Sequence, residues 1–249
     1  MAPRELHPQA PVTPASFSTR VETYDWDALT AELDGFGGAV LRELVSPSEC
    51  RELSAMYATE TLFRSRVVMS QHGYGKGEYR YFDYPLPEPL AELRRALYRP
   101  LAKVANRWST ALGLGQRYPA EHAEFLARCH AQGQPRPTPL LLKYVTGDFN
   151  CLHQDLYGEL VFPLQVAILL SEPGRDFTGG EFVITEQRPR MQSRVEVVPL
   201  RQGDAVAFAV KQRPVEGTKR SYRVNLRHGV SRLRSGERYT AGIIFHDAK

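Results

Sequence analysis

Apolar residues follow two different periods along this chain. Up to about residue 135 they recur mostly at three and four residues, the period of a helix face. Beyond Pro139 they come in short runs separated by turn residues, as in strands. The first 20 residues carry four prolines and little periodicity, which predicts a mobile arm. A short helix is expected over Tyr24–Leu33, with Asp25 as its N-cap, stopped by Gly35, Gly37 and Gly38. Ala39-Val40-Leu41 reads as a buried strand. Ser46-Pro47-Ser48-Glu49 combines a cap, a first-turn proline and a carboxylate three residues on, and starts a helix running to about Thr59. Strands are expected over Arg64–Met69 and Tyr79–Tyr84, flanking the glycine-rich turn His72–Gly77. Leu90, Leu93, Leu97, Leu101 and Val104 mark residues 87–112 as helical, read as two helices broken near Pro100. A further helix is expected over Ala120–Ala131.

The second half predicts strands over Leu140–Val145, Val166–Leu170, Glu181–Thr185, Val195–Val198, Ala205–Phe208, Arg223–His228 and Tyr239–Phe245. Gly147–Asn150, Glu172-Pro173-Gly174, Thr178-Gly179-Gly180 and Gln202-Gly203-Asp204 punctuate them. Short strands so divided indicate a β-sandwich or barrel. Helices precede strands and no linker separates them. The expectation is an α+β chain: one domain over residues 21–249, with helical support over about 21–135 and a β core over about 136–249.

Composition narrows this little. The chain has 249 residues, 42% hydrophobic and 24% charged, which is ordinary for a globular protein with a sizeable core. No apolar run is long enough to cross a bilayer and the polar N-terminus lacks a signal-peptide core, so the expectation is a cytoplasmic protein. Cys50, Cys129 and Cys151 have no metal-type spacing and read as reduced thiols. A net charge of +4 permits a nucleic-acid partner without requiring one.

The chemistry centres on Leu152-His153-Gln154-Asp155. Side chains two apart on an extended segment point to the same side, so His153 and Asp155 can face one metal ion. A distant strand must bring a third ligand, and His228 is the candidate. Two histidines and one carboxylate with open positions suit non-haem Fe(II). Arg238 follows ten residues later, where a guanidinium could grip a dicarboxylate by a two-pronged pair. The bland alternative is a core histidine hydrogen-bonded to a turn aspartate. Tyr74, Tyr79, Tyr81, Phe82 and Tyr84 divide between two roles, core packing and rings that stack on a planar substrate.

The order His-x-Asp, then His, then Arg, over residues 140–246, resembles the iron(II)/2-oxoglutarate dioxygenase superfamily. That resemblance implies a double-stranded β-helix, or jelly roll. It implies Fe(II) on His153, Asp155 and His228, O2 as oxidant, and 2-oxoglutarate as co-substrate on Arg238, with Thr240 and Tyr144 beside it. The Lys143-Tyr144 and Leu152–Asp155 segments resemble alkylated-nucleic-acid demethylases. The stretch from His153 through Met191-Gln192-Ser193-Arg194 is similar to a bacterial family of oxidative demethylases of damaged DNA. Two positions depart from the demethylases: Ile244 stands where they have a second arginine, and Leu142 where they have an asparagine. The short interval from His228 to Arg238 is more like prolyl hydroxylases. A nucleic-acid substrate and a role in DNA repair are therefore carried as one reading. The others are a hydroxylase of a protein side chain or small molecule, and a cupin-like binding protein without turnover. Arg188, Arg190, Arg194, Lys211, Arg213, Lys219, Arg220 and Arg223 are the basic loop residues that would meet a phosphate backbone.

Overall fold

The longest element is a helix that the proline pattern divides and the structure does not. In this computed structural model, which describes residues 15–156, 158–188, 190–218 and 220–249, residues Glu88–Ala111 form one helix with Pro100 inside it. An interior proline removes one backbone bond and costs about 3 kcal/mol. Each fully buried large apolar side chain contributes about 1.5–3 kcal/mol. Leu90, Leu93, Leu97, Leu101, Val104 and Trp108 are all buried on one core, so burial on both sides of the proline outweighs the break.

The helical layer comprises α1 (Phe17–Glu22), α2 (Trp26–Phe36), α3 (Pro47–Ala55), α4 (Glu88–Ala111) and α5 (His122–Ala131). The expected caps are present. Asp25 accepts from the backbone of Asp27 and Ala28, and Ser46 with Glu49 forms a reciprocal capping box. The expected arm is corrected at its end. Ser16 caps α1, Phe17 and Val21 are buried, and the Ser18 N–H donates to Glu92 on α4. The proline-rich composition upstream hid this two-turn anchor; residues 1–14 lie outside the described residues.

The strands are β1 (Gly38–Leu41), β2 (Phe63–Val68), β3 (Gly75–Lys76), β4 (Glu78–Phe82), β5 (Leu140–Val145), β6 (Phe149–His153) and β7 (Leu164–Leu169). They continue as β8 (Phe177–Gly179), β9 (Phe182–Gln187), β10 (Arg194–Val198), β11 (Ala205–Ala209), β12 (Gln212–Val215), β13 (Tyr222–Val230) and β14 (Leu233–Ile243). They make two antiparallel sheets. The larger runs β1-β11-β7-β14-β5-β4-β2, with β8 attached to β14. The smaller runs β10-β9-β13-β6-β3, with β12 attached to β13. This is the α+β arrangement expected, with the helices N-terminal to a two-sheet jelly roll. Strands β3, β8 and β12 lie outside the expected set, and two further details differ from expectation. β6 occupies part of the stretch read as the Gly147–Asn150 turn, because its partners β13 and β3 are remote in sequence. β14 begins at Leu233, because Gly236 with φ 84° bends the strand against β8 rather than ending it.

A buried ion pair fastens the two layers. Arg94 of α4 donates to the carbonyls of Ile244 and His246 and to the Asp247 carboxylate at 2.7 Å. The segment after β14 is thereby tied to the helix.

Candidate active site

The smaller sheet sets the centre of the site. β6 and β13 run antiparallel with His153 directly opposite His228, and their ring centroids lie 4.2 Å apart. Asp155 lies just past the end of β6, and its carboxylate spans both imidazoles. One oxygen is 3.5 Å from Nε2 of His153 and the other 3.3 Å from Nε2 of His228. All three ligand atoms lie within 4.8 Å of one another. Donor atoms about 2.0–2.2 Å from a shared metal stand about 3 Å apart, so the group fits one ion. Nδ1 of His153 donates to the Cys151 carbonyl at 2.8 Å, which leaves the Nε2 lone pair for a metal. Burial, and then the neighbouring His228, push the His153 pKa below its ordinary value, favouring the neutral, metal-binding ring. His228 is wedged by the Phe208 ring at 4.5 Å and the Phe182 ring at 6.0 Å.

The other described histidines are engaged elsewhere. His122 bonds the Phe245 carbonyl, His130 meets Asp247, and Nδ1 of His246 accepts the Phe162 N–H. His72 stacks on Tyr74. Among the described residues, His153, Asp155 and His228 form the one group with metal-ligand geometry.

The larger sheet forms the opposite wall of a cavity of about 220 Å3. Arg238 and Tyr144 are cross-strand partners on β14 and β5, and both are buried. The guanidinium donates to Thr240 Oγ1 at 2.6 Å and lies 5.7 Å from the Tyr144 ring and 5.8 Å from that of Phe177. Among the described residues its Nε has no hydrogen-bond partner and no ion pair includes Arg238. Burial lowers its pKa to about 10, the signature of a cation that lacks a close anion. A dicarboxylate co-substrate would supply one. Burial also pushes the Tyr144 phenol up, so it stays protonated as a donor.

Two polar residues on the cavity wall were not singled out from sequence. Asn150 of β6 donates to the Tyr144 hydroxyl at 3.3 Å. Gln165 of β7 is 3% exposed, and its Nε2 has no partner among the described residues. The signal for Gln165 was present: it is the one polar residue within the apolar run Phe162–Leu170, in a strand buried along its whole length.

The rim separates the tyrosines. Tyr74 and Tyr79 line the cavity, with Tyr74 exposed at the mouth, whereas Tyr81 and Phe82 are buried among core residues. Tyr84 donates to Asp247 away from the site. The basic residues divide less favourably. Arg213 is buried and paired with Glu186, and Arg188 and Arg194 turn to the same carboxylate. Arg213 is thus a structural ion, placed by the sequence among the loop cations that would meet a phosphate backbone because Glu186 is remote from it; Arg188 and Arg194 stay partly exposed. Arg220 and Arg223 are exposed, and Lys219 lies outside the described residues. No helix among the described residues is long and apolar enough to cross a membrane.

Comparison with known proteins adds the following. Residues 77–248 match the family Oxygenase-NA, described as "Oxygenase, catalysing oxidative methylation of damaged DNA". The uncharacterized protein Rv2227 of Mycobacterium tuberculosis is 47% identical over 196 residues, covering 77% of this chain and 84% of that protein. A prolyl-4-hydroxylase from Pseudomonas putida superposes with a TM-score of 0.52 at 15% identity, over 90% of this chain and 99% of the other. An oxidoreductase of the 2OG-Fe(II) oxygenase family from Burkholderia pseudomallei gives a TM-score of 0.50 at 17% identity, over 91% and 94%. At these identities the two structures are similar in fold.

Proposed function

Because the chain belongs to the Oxygenase-NA family, within the Fe(II)/2-oxoglutarate oxygenases, we propose that it oxidises a C–H bond of its substrate at a metal held by His153, Asp155 and His228, with 2-oxoglutarate as co-substrate. The observation that carries this reading is the pairing of that triad, in one cavity, with a buried guanidinium that forms no ion pair among the described residues. When bound, Fe(II) with O2 supplies the oxidising chemistry, converting 2-oxoglutarate to succinate and CO2 while the substrate gains a hydroxyl.

The residues of the chain bind, orient and exclude. Arg238 grips the distal carboxylate of 2-oxoglutarate through its fork, and Thr240 fixes the rotation of that fork. Tyr144 donates its hydroxyl proton to the same carboxylate, and Asn150 holds the phenol in place. Phe208 and Phe182 pack His228 and keep water from its inner side. Tyr74 and Tyr79 border the mouth, where a planar group would enter.

The substrate is N-methylated nucleic acid. The family description and the aromatic mouth support this, since a base taken out of its stack lies well on tyrosine rings. Hydroxylation of an N-methyl carbon gives N–CH2OH, which breaks at the C–N bond to formaldehyde and the N–H base. The test is formaldehyde release from N-methylated oligonucleotides with Fe(II), 2-oxoglutarate and O2. Internal pairing of Arg188, Arg194 and Arg213 with Glu186 removes part of the positive charge available to a phosphate backbone, which favours the alternative of a protein side-chain or small-molecule hydroxylase. Succinate formed without formaldehyde or oligonucleotide binding would establish that alternative.

A further inference from the structure

We propose that Gln165 is a positioning residue for the co-substrate, donating its amide N–H to the metal-side carboxylate of 2-oxoglutarate. This rests on the co-substrate reading above and names the residue at the end of the cavity opposite Arg238. Three observations carry it.

First, the register places Gln165 on the wall facing the metal. It pairs with Phe208 across β7 and β11, and the Phe208 ring is 4.5 Å from the ring of His228. Second, Gln165 shares its inward face with Arg238. Val166 pairs with Ile243, so Gln165 stands level with Ile244, which lines the cavity on the same face of β14 as Arg238, Thr240 and Gly242. The Arg238 guanidinium leans along β14 onto Thr240, toward the Gln165 end. The two donors therefore address one ligand from opposite ends. Third, Gln165 is nine-tenths buried and its Nε2 has no partner among the described residues, although a buried amide donor without one is destabilising.

Depth decides between co-substrate and substrate. The mouth is formed by exposed Tyr74 and by His153, whose side chain is 33% exposed. Gln165 at 3% lies on the floor with Arg238, below the level at which a macromolecular substrate arrives. The acceptor on that floor is the small dicarboxylate. One of its carboxylates goes to Arg238, and the other, beside the metal, is left for Gln165.

The experiment is calorimetric titration of 2-oxoglutarate and of succinate into Mn(II)-loaded full-length protein, in wild type, Gln165→Met and Arg238→Lys. Mn(II) keeps the site redox-silent. Succinate retains the distal carboxylate but lacks the metal-side carboxylate that 2-oxoglutarate loses as CO2. Gln165→Met is expected to weaken 2-oxoglutarate binding about tenfold and to leave succinate binding unchanged, whereas Arg238→Lys weakens both. Mn(II) affinity without co-substrate should be the same in wild type and Gln165→Met. The Gln165→Met apoprotein should melt no lower than wild type, since Nε2 has no bond to lose. Gln165→Glu, close in shape, should lose 2-oxoglutarate binding further by charge repulsion and covers the case in which the methionine packs poorly. Equal weakening of both ligands, or of neither, overturns the role of Gln165 while wild-type binding leaves the co-substrate reading intact. Wild-type protein that binds neither ligand with Mn(II) overturns both.

Discussion

Replacing Arg238 with methionine separates what the residue does for the ligand from what it does for the fold. A fall in pKa from 12.5 to about 10 corresponds to roughly 3 kcal/mol of lost solvation carried by the folded apoprotein. Methionine removes that cost and keeps most of the volume. Against this stand the ring contacts to Tyr144 and Phe177, about 0.5–1 kcal/mol each, and the bond to Thr240, about 1 kcal/mol. The apoprotein should therefore be unchanged or more stable by about 1 kcal/mol, a rise of roughly 2–4 °C for a chain of this size. The ligand response runs the other way. At a hundredfold excess over Kd, 2-oxoglutarate should stabilise wild-type protein by about 2.7 kcal/mol, or roughly 5–10 °C. Arg238→Met should show no such rise. Arg238→Lys keeps the charge without the fork, and should show a reduced rise. Scanning calorimetry with Mn(II), with and without 2-oxoglutarate, reads both effects. A variant melting many degrees below wild type, or one that retains the full ligand-induced rise, would refute the reasoning.

Arg213→Met leaves Glu186 buried beside only the partly exposed Arg188 and Arg194, and should cost about 3 kcal/mol by urea denaturation. Arg213→Met with Glu186→Leu should recover much of that loss. Burial holds the pKa of His122 down to about 3 and that of His246 to about 4. Between those values and the ordinary 6.5 the unfolded chain binds more protons than the folded one, so stability falls as pH drops through that window. His122→Gln should flatten the fall, as followed by melting temperature against pH. Tyr74→Ala should weaken binding of a methylated single-stranded oligonucleotide by about 1–3 kcal/mol, read by fluorescence anisotropy, with the affinity for 2-oxoglutarate unchanged.

The parts of the fold legible in the sequence were those fixed by local rules. Ser46 and Asp25 announce helix starts because a cap needs only its next three residues. His153 and Asp155 could be paired because a strand's period is local. What was hidden depended on distant partners. Pro100 looked like a break because the core that overrides it comes from strands far along the chain. Phe149 and Asn150, which open the strand leading to His153, looked like part of a turn because β13 and β3 define that strand. Arg213 looked like a surface cation because Glu186 lies 27 residues away. Within the cavity the charged residues stood out, while the amides of Asn150 and Gln165, which carry no charge and match no spacing, became visible only through the walls they share with Tyr144 and Phe208.

The clamp between Arg94 and Asp247 bears on how the protein is born. The two residues are 153 positions apart, and the arginine is translated first. As the chain emerges, the helical layer carries a cation whose counter-charge has not yet been synthesised. β14, with Arg238 and Thr240, is made just before that counter-charge. A nascent chain halted between residues 229 and 237 would thus hold both histidines and the aspartate but neither Arg238 nor Thr240. The cavity wall that carries Arg238 and Thr240 would form only when the last strand docks between β5 and β7.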